Sequence, residues 1–202
     1  MASKLGCFNG ALGLLTQPTL TTPNPSPSTE ASRLLNDNWQ STVEWCFEQG
    51  DWDFAIERDE LSRLATAPAW GYTYYYNLPA DVLRIVAASE SGLIDDRLLR
   101  YKVENGKVAT DAATLYLAWV SSNAIDTPGK WSESFARFVA AELALRCIKL
   151  NIGSAQVIDQ ERKRAMKLAL GVDAVQGPPS LNRPGRWARS IRGRFRNSEQ
   201  AV

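Results

Sequence analysis

Tyr101-Lys102-Val103-Glu104-Asn105-Gly106-Lys107-Val108 is the stretch on which the fold turns. Its residues alternate about a central Asn-Gly pair. A two-residue type I′ turn needs positive φ at both central positions, and asparagine and glycine tolerate it, so the stretch predicts a tight antiparallel hairpin. The neighbouring sequence shares this β character. Upstream lie the aromatic run Tyr72-Thr73-Tyr74-Tyr75-Tyr76 and, past Pro79, Val82-Leu83-Arg84-Ile85-Val86. Downstream lies Leu115-Tyr116-Leu117-Ala118-Trp119-Val120. Residues from about 71 to 120 are therefore expected to form a small antiparallel sheet.

Outside this segment the apolar period changes from two to about 3.6. Four prolines, at positions 18, 23, 25 and 27, make the preceding connector irregular. Ser26 then reads as an N-cap with Pro27 at the first helical position. The helix is expected to reach Gln49, because Ala31, Leu34, Leu35, Trp39, Val43, Cys46 and Phe47 recur at helical spacing and Gly50 reads as a stop. Asp51-Trp52-Asp53-Phe54 reads as a turn with two buried aromatics, followed by a shorter helix from about Ile56 to Ala65. Residues 131–150 predict a helix whose apolar positions nearly encircle it and which therefore sits centrally. Glu133 with Arg137 and Glu142 with Arg146 form favourable i,i+4 pairs along it. A last helix, capped by Ser154, is expected from about Ala155 to Leu170 and closed by Gly171. The apolar stretch Ala11 to Leu15 carries no assigned element.

The expected fold class is thus α+β. A helical core of about four helices, at about 27–65 and 131–170, carries a small antiparallel β-sheet inserted between the helix pairs. This domain spans 1–176, and an extended basic C-terminal tail spans 177–202.

The chain has 202 residues and no histidine. That absence removes the commonest general base, the Ser-His and Cys-His nucleophile pairs and the usual ligand of catalytic zinc. The sequence also lacks GxxxxGK[ST], GxGxxG, HExxH and GxSxG. No catalytic residue, no metal and no cofactor is expected. Cys7, Cys46 and Cys147 form neither a CxxC pair nor a disulfide framework, which points to a reducing compartment. No apolar run approaches the roughly 20 residues of a membrane-spanning helix, so no membrane partner is expected.

Two clusters invite a functional reading. Asp51, Asp53, Glu57, Asp59 and Glu60 match no ligand pattern of defined spacing, and complementing a helix N-terminus is their simplest role. Asp95-Asp96 reads as a turn. The tyrosine strand could stack sugars or bases, but a half-buried sheet face accounts for it. A sugar-binding reading requires Tyr74 or Tyr76 exposed in a concave pocket.

Net charge is +1, from 23 basic and 22 acidic residues. Six arginines and one glutamate of that total lie in 177–202, which leaves 17 basic and 21 acidic residues before it. A near-neutral total hides an acidic body and a basic tail. Arg183, Arg186, Arg189, Arg192, Arg194 and Arg196, with Trp187 and Phe195 between them, are the candidate partner-binding residues. Arginine pairs bidentately with phosphate and carboxylate alike, so the tail suits an acidic protein surface or, alternatively, a DNA backbone.

Several stretches in order carry a resemblance. These are Ala11 to Leu15 near a proline-rich turn, Ala31-Ser32-Arg33-Leu34-Leu35-Asn36, and Gly50-Asp51-Trp52-Asp53-Phe54-Ala55. Gly71-Tyr72 then leads to Tyr76-Asn77-Leu78-Pro79-Ala80-Asp81-Val82-Leu83-Arg84, followed by the strand to Val120 and by Trp131 through Leu150. Over roughly residues 10–170 the chain resembles the head–tail adaptor (connector) proteins of tailed bacteriophages, of the tail tubular protein A kind. The resemblance implies a non-enzymatic structural protein of the virion neck, made in the host cytoplasm. About twelve copies would form a homo-oligomeric ring beneath the portal protein, receive the downstream tail or nozzle protein, and leave an axial channel for genomic DNA. It implies the same helical core with a β insertion. The basic tail lies outside the matched part.

Overall fold

Ser132 starts the helix that organises the fold: its Oγ accepts the N–H of Phe135, satisfying one of the first-turn donors that a helix leaves unpaired. The computed structural model describes residues 2–92, 99–150 and 155–176. In chain order its regular elements are α1 (Lys4–Leu14), α2 (Glu30–Glu48), β1 (Ile56–Glu60), β2 (Tyr74–Asn77), β3 (Val82–Ser89), β4 (Tyr101–Glu104), β5 (Lys107–Thr110), β6 (Tyr116–Ser121), α3 (Glu133–Arg146) and α4 (Ala155–Gln176). Among the described residues the architecture is α+β, with four α-helices, short 3-10 turns and two small antiparallel three-stranded sheets.

Helix α3 buries side chains on every face, from Phe135 and Ala136 to Leu143 and Ala144, and packs against α1, α2 and α4. The central position expected from its sequence is therefore what the structure has. Phe135 is the hub. Its ring lies 5.1 Å from Phe47, 4.7 Å from Trp52, 5.1 Å from Phe54 and 5.2 Å from Trp131, all edge to face. This arrangement sets the positive ring edge against the negative ring face. The indole N–H groups of this cluster are also satisfied: Trp52 donates to the Cys46 carbonyl and Trp131 to that of Ala124.

A polar tie joins three helices. Glu142 of α3 is nearly buried and lies 3.2 Å from Arg146 and 3.6 Å from Arg162 of α4. Both guanidinium groups also sit 6.0 Å from the ring of Trp45 on α2. The other expected pair, Glu133 with Arg137, is an exposed contact at 3.8 Å. An exposed pair contributes at most about 1 kcal/mol.

The Asn-Gly hairpin forms as the sequence predicts. Asn105 and Gly106 have φ of 49° and 68°, and β4 pairs with β5 from Tyr101 opposite Thr110 to Glu104 opposite Lys107. The expected single sheet is instead two sheets, β1-β6-β3 and β2-β5-β4. They share one apolar cluster in which Tyr76 and Val108 of the second meet Leu117 and Trp119 of the first. A single small sheet with one wet face would have left these large side chains exposed, whereas two facing sheets bury both sets.

Several boundaries differ from expectation. Residues 56–65 hold no helix: Ile56–Glu60 is strand β1, paired with β6 from Ile56 opposite Val120 to Glu60 opposite Tyr116. Trp52 and Ala55, buried just before, leave Ile56 in extended geometry, and the four charged residues Glu57 to Glu60 are too short a run to hold a helix alone. Helix α2 starts at Glu30, because Thr29 rather than Ser26 accepts the N–H of Ser32. Gly50 does follow α2, but its φ is not positive. A Cβ there would lie 2.8 Å from Leu170 and 3.1 Å from Trp52, so close packing, not a left-handed cap, requires glycine. Gly171 does not close α4, which continues to Gln176. There Asp173 Oδ1 accepts the N–H of Asp53, so a tertiary contact holds the last turns. The expected cap Ser154 and the Asp95-Asp96 turn lie outside the described residues.

Helix α1 is the element absent from the sequence reading. Ser3 caps it, and Cys7, Phe8, Ala11, Leu12 and Leu15 fall on its buried side. Glycines at 6, 10 and 13 obscured that period. Gly10 faces α3 so closely that a Cβ would meet Ala140 Cβ at 3.1 Å.

Phe135→Ala is expected to lower unfolding stability by about 3–5 kcal/mol, measured by urea denaturation with the wild type alongside. A loss below about 1 kcal/mol would contradict the hub. The three cysteines are free and buried, and burial pushes the Cys7 thiol up to about 12 and the Cys147 thiol up to about 11. At pH 8 a disulfide-exchange reagent should therefore leave the folded protein unmodified and react with all three thiols after unfolding in denaturant.

Candidate interaction surfaces

The residues expected to bind a partner, Arg183, Arg186, Trp187, Arg189, Arg192, Arg194, Phe195 and Arg196, lie outside the described residues. What the structure offers is the body to which they are attached.

The tyrosine strand is divided between core and surface by the alternation of β2. Tyr76 is buried and its hydroxyl donates to the Ala112 carbonyl at 2.8 Å. Tyr75 points the other way and donates to Glu104 Oε1 at 2.7 Å. Tyr74 is half-buried beneath the Arg63 guanidinium, 4.9 Å from its ring centre. The hydroxyls of Tyr75 and Tyr76 are thus satisfied on opposite sides of the strand, and burial removes Tyr76 from any sugar-stacking role.

The carboxylate cluster does not flank a helix start, since none exists at residue 56. Asp51 and Asp53 sit in the turn after α2, and Glu57, Asp59 and Glu60 project from β1. Asp51 pairs with Arg84 of β3 at 3.1 Å. Asp173, far away in sequence, joins Asp51 and Asp53 through its hydrogen bond to the Asp53 N–H. Burial raises the Asp173 pKa, and the charges of Asp53 and Asp51 add to this, although the Asp53 N–H pulls the other way. Among the described residues no group of three or more acidic or cysteine side chains is placed to hold a metal ion.

The best-built polar centre is Asp81. Its Oδ2 accepts from Ser121 Oγ at 2.6 Å, from Trp119 Nε1 at 3.0 Å and from Asn123 Nδ2 at 3.3 Å. Its carbonyl accepts the Ser122 N–H at 2.8 Å. Burial opposes the charge, but the hydrogen bonds from Ser121, Trp119 and its own backbone outweigh it and hold the carboxyl below its usual pKa. This aspartate clasps the start of β3 to the end of β6. It presents no free oxygen pair to a substrate, so its role is architectural.

Sheet β1-β6-β3 has one face against the second sheet; its other face meets the helical core at Val120 and opens beyond it around Ala118. On the open part of that face Arg58, Ala118 and Ala87 lie side by side, and next to them Glu60, Tyr116 and Ser89. The two alanines leave a hollow of about 330 Å3 floored by Leu117, Ala118 and Tyr116 and bordered by Arg58, Asp59 and Glu60. No sequence signal marks this hollow, because its parts come from three separated strands. Other exposed apolar side chains are Trp70 in the loop before β2, and Val157, Leu168 and Val172 along α4.

A scan against protein-family models finds no match, and a search of curated proteins finds none either.

Asp81→Asn tests the clasp. The folded carboxyl has a depressed pKa, so its stabilisation is present above the unfolded value of about 3.9 and is lost as pH falls through the folded value. The variant should be less stable than wild type by about 1–2 kcal/mol at pH 7, and the gap should be smaller at about pH 3, below the unfolded carboxyl value of about 3.9. Chemical denaturation at both pH values measures the difference. A gap of equal size at both would contradict the charged clasp.

Proposed function

We propose that this chain is a head–tail adaptor of a tailed bacteriophage. It is a structural protein of the virion neck whose copies assemble into a ring on the portal protein. The ring receives the tail or nozzle protein and leaves an axial passage for DNA. The reading involves no chemistry performed by the chain.

One observation carries this reading. The residues quoted for the resemblance fall, in order, on the helices, strands and turns of an α+β fold, and three that mark its turns and helix starts are engaged in packing or hydrogen bonds within the fold. Trp52 of the Gly-x-Trp-x-Phe turn packs 4.7 Å from Phe135. Asp81 of the Leu-Pro-x-Asp segment clasps two strands. Trp131, leading the apolar helix, stacks on Trp39 at 6.0 Å. Trp52, Asp81 and Trp131 in these roles suit a protein that acts by holding a shape in an assembly.

The charge asymmetry supports it too. Twelve tails at +5 each would bring about sixty positive charges into one ring, and in free solution such a crowd repels itself. Acidic surfaces of the portal or of adjacent copies would relieve that repulsion, which makes Arg183 to Arg196 the contact residues of this reading.

Electron microscopy of the purified full-length chain, alone and mixed with the portal of the same phage, tests the assignment. Rings with a central opening, seated coaxially on the portal, are expected. A chain that stays monomeric in both samples would sink it.

A further inference from the structure

The open face of sheet β1-β6-β3 around Ala118, with the unpaired side of β1, carries the inference that reaches furthest. The hollow between Ala87, Ala118 and Tyr116 is apolar at its floor, Gly92 lies on its rim, and β1 borders it with Arg58, Asp59 and Glu60. From Glu57 onward the strand is exposed, and among the described residues no strand pairs with its other side. A hollow that can take one large apolar side chain, bordered by a free edge on which the carboxylates of Glu57, Asp59 and Glu60 outnumber the single guanidinium of Arg58, suits an extended cationic segment with occasional rings.

Residues 177–202 have that composition: six arginines and one glutamate, with Trp187, Ile191 and Phe195 set among them. Where this segment begins matters as much. Helix α4 runs to Gln176, and Asp173 near its end accepts the N–H of Asp53, three residues before β1. The chain thus leaves α4 beside the root of the acidic strand. Trp187 follows Gln176 by eleven residues, roughly 36 Å when extended, whereas a strand as short as β1 spans roughly 17 Å. The tail can therefore cover β1 of its own chain with length to spare. At the exit Asp51, Asp53 and Asp173 crowd together, and an arriving cation relieves their repulsion. The exposed side of α4 is unsuitable, because Lys163, Arg164 and Lys167 lie on it.

We propose that Arg183–Arg196 docks along β1 of its own chain, its arginines on Glu57, Asp59 and Glu60 and the ring of Trp187 or Phe195 in the hollow between Ala87, Ala118 and Tyr116. The proposal goes beyond the adaptor reading and stands without it. In the unassembled chain it covers the arginines that a partner would otherwise meet, so a partner must compete with the body for them.

Limited digestion of the full-length chain by trypsin at low salt, followed by mass spectrometry, tests it. Cleavage after Arg186 and Arg194 is compared between the wild type and Asp59→Lys/Glu60→Lys, which alters exposed side chains only. Wild-type cleavage is expected to be roughly tenfold slower, the protection given when the docked tail outnumbers the free tail about ten to one. Equal rates in the two proteins overturn the proposal. Protection independent of protein concentration supports docking on the same chain. Protection that falls on dilution assigns the tail to a neighbouring copy and overturns the own-chain assignment. A second full-length variant, Trp187→Ser/Phe195→Ser, addresses the hollow by hydrogen exchange over residues 56–61. Faster exchange than in wild type supports the proposal. Unchanged exchange assigns the hollow to another occupant, such as residues 93–98, and overturns the docking of a tail ring.

Discussion

The edge-to-face packing of four aromatic rings around Phe135 is the constraint on which the rest of the structure depends. Phe47 brings the end of α2, Trp52 and Phe54 bring the turn after it, and Trp131 brings the approach to α3. Because Trp52 and Ala55 are buried, the backbone leaving the turn points away from the helices as an extended strand. The insertion of the β layers at this place follows from that direction. Phe54 sits in the short 3-10 turn Asp53–Ala55, and its edge-to-face pair with Phe135 is worth about 0.5–1.5 kcal/mol beyond area burial.

The two sheets extend this core into a second, smaller one. Leu117 and Trp119 of β6 face Tyr76 and Val108 of the other sheet, while Val120 of the same strand belongs to the helical core. Strand β6 therefore joins both cores, and Asp81 fixes its end by taking hydrogen bonds from Trp119, Ser121 and Asn123. Rigidity at this joint keeps the β layers in a defined position on the helices. The same alternation that turns Leu117 and Trp119 toward the second sheet turns Ala118 to the opposite face, where this small side chain floors the hollow.

Electrostatics follows the same division. Positive groups that stabilise the body lie in the interior tie of Glu142, Arg146, Arg162 and Trp45, where each guanidinium has both a carboxylate and a ring. The acidic excess gathers instead on β1 and the turn before it, where Arg84 and Arg58 only partly offset it. Chain order places the basic segment at the end of α4, next to that excess.

The sequence by itself determined the features that depend on a few neighbouring residues. Asn105-Gly106 dictates its hairpin because only such residues accept positive φ twice in succession. The apolar periods of α2 and α3, the encircled and hence central character of α3, and the contrast of acidic body with basic tail were equally legible. The tertiary structure alone decided what depends on distant partners. Ile56–Glu60 looks helical in isolation and becomes a strand because β6 offers it a ladder from Val120 to Tyr116. Gly50 looks like a helix stop and is glycine because Leu170 occupies the space. The hollow and the meeting of Asp173 with Asp53 left no local trace, since their parts are adjacent only after folding. Short-range rules fix dihedral angles and periods, whereas surfaces are made wherever the packed core happens to bring strands and helix ends together.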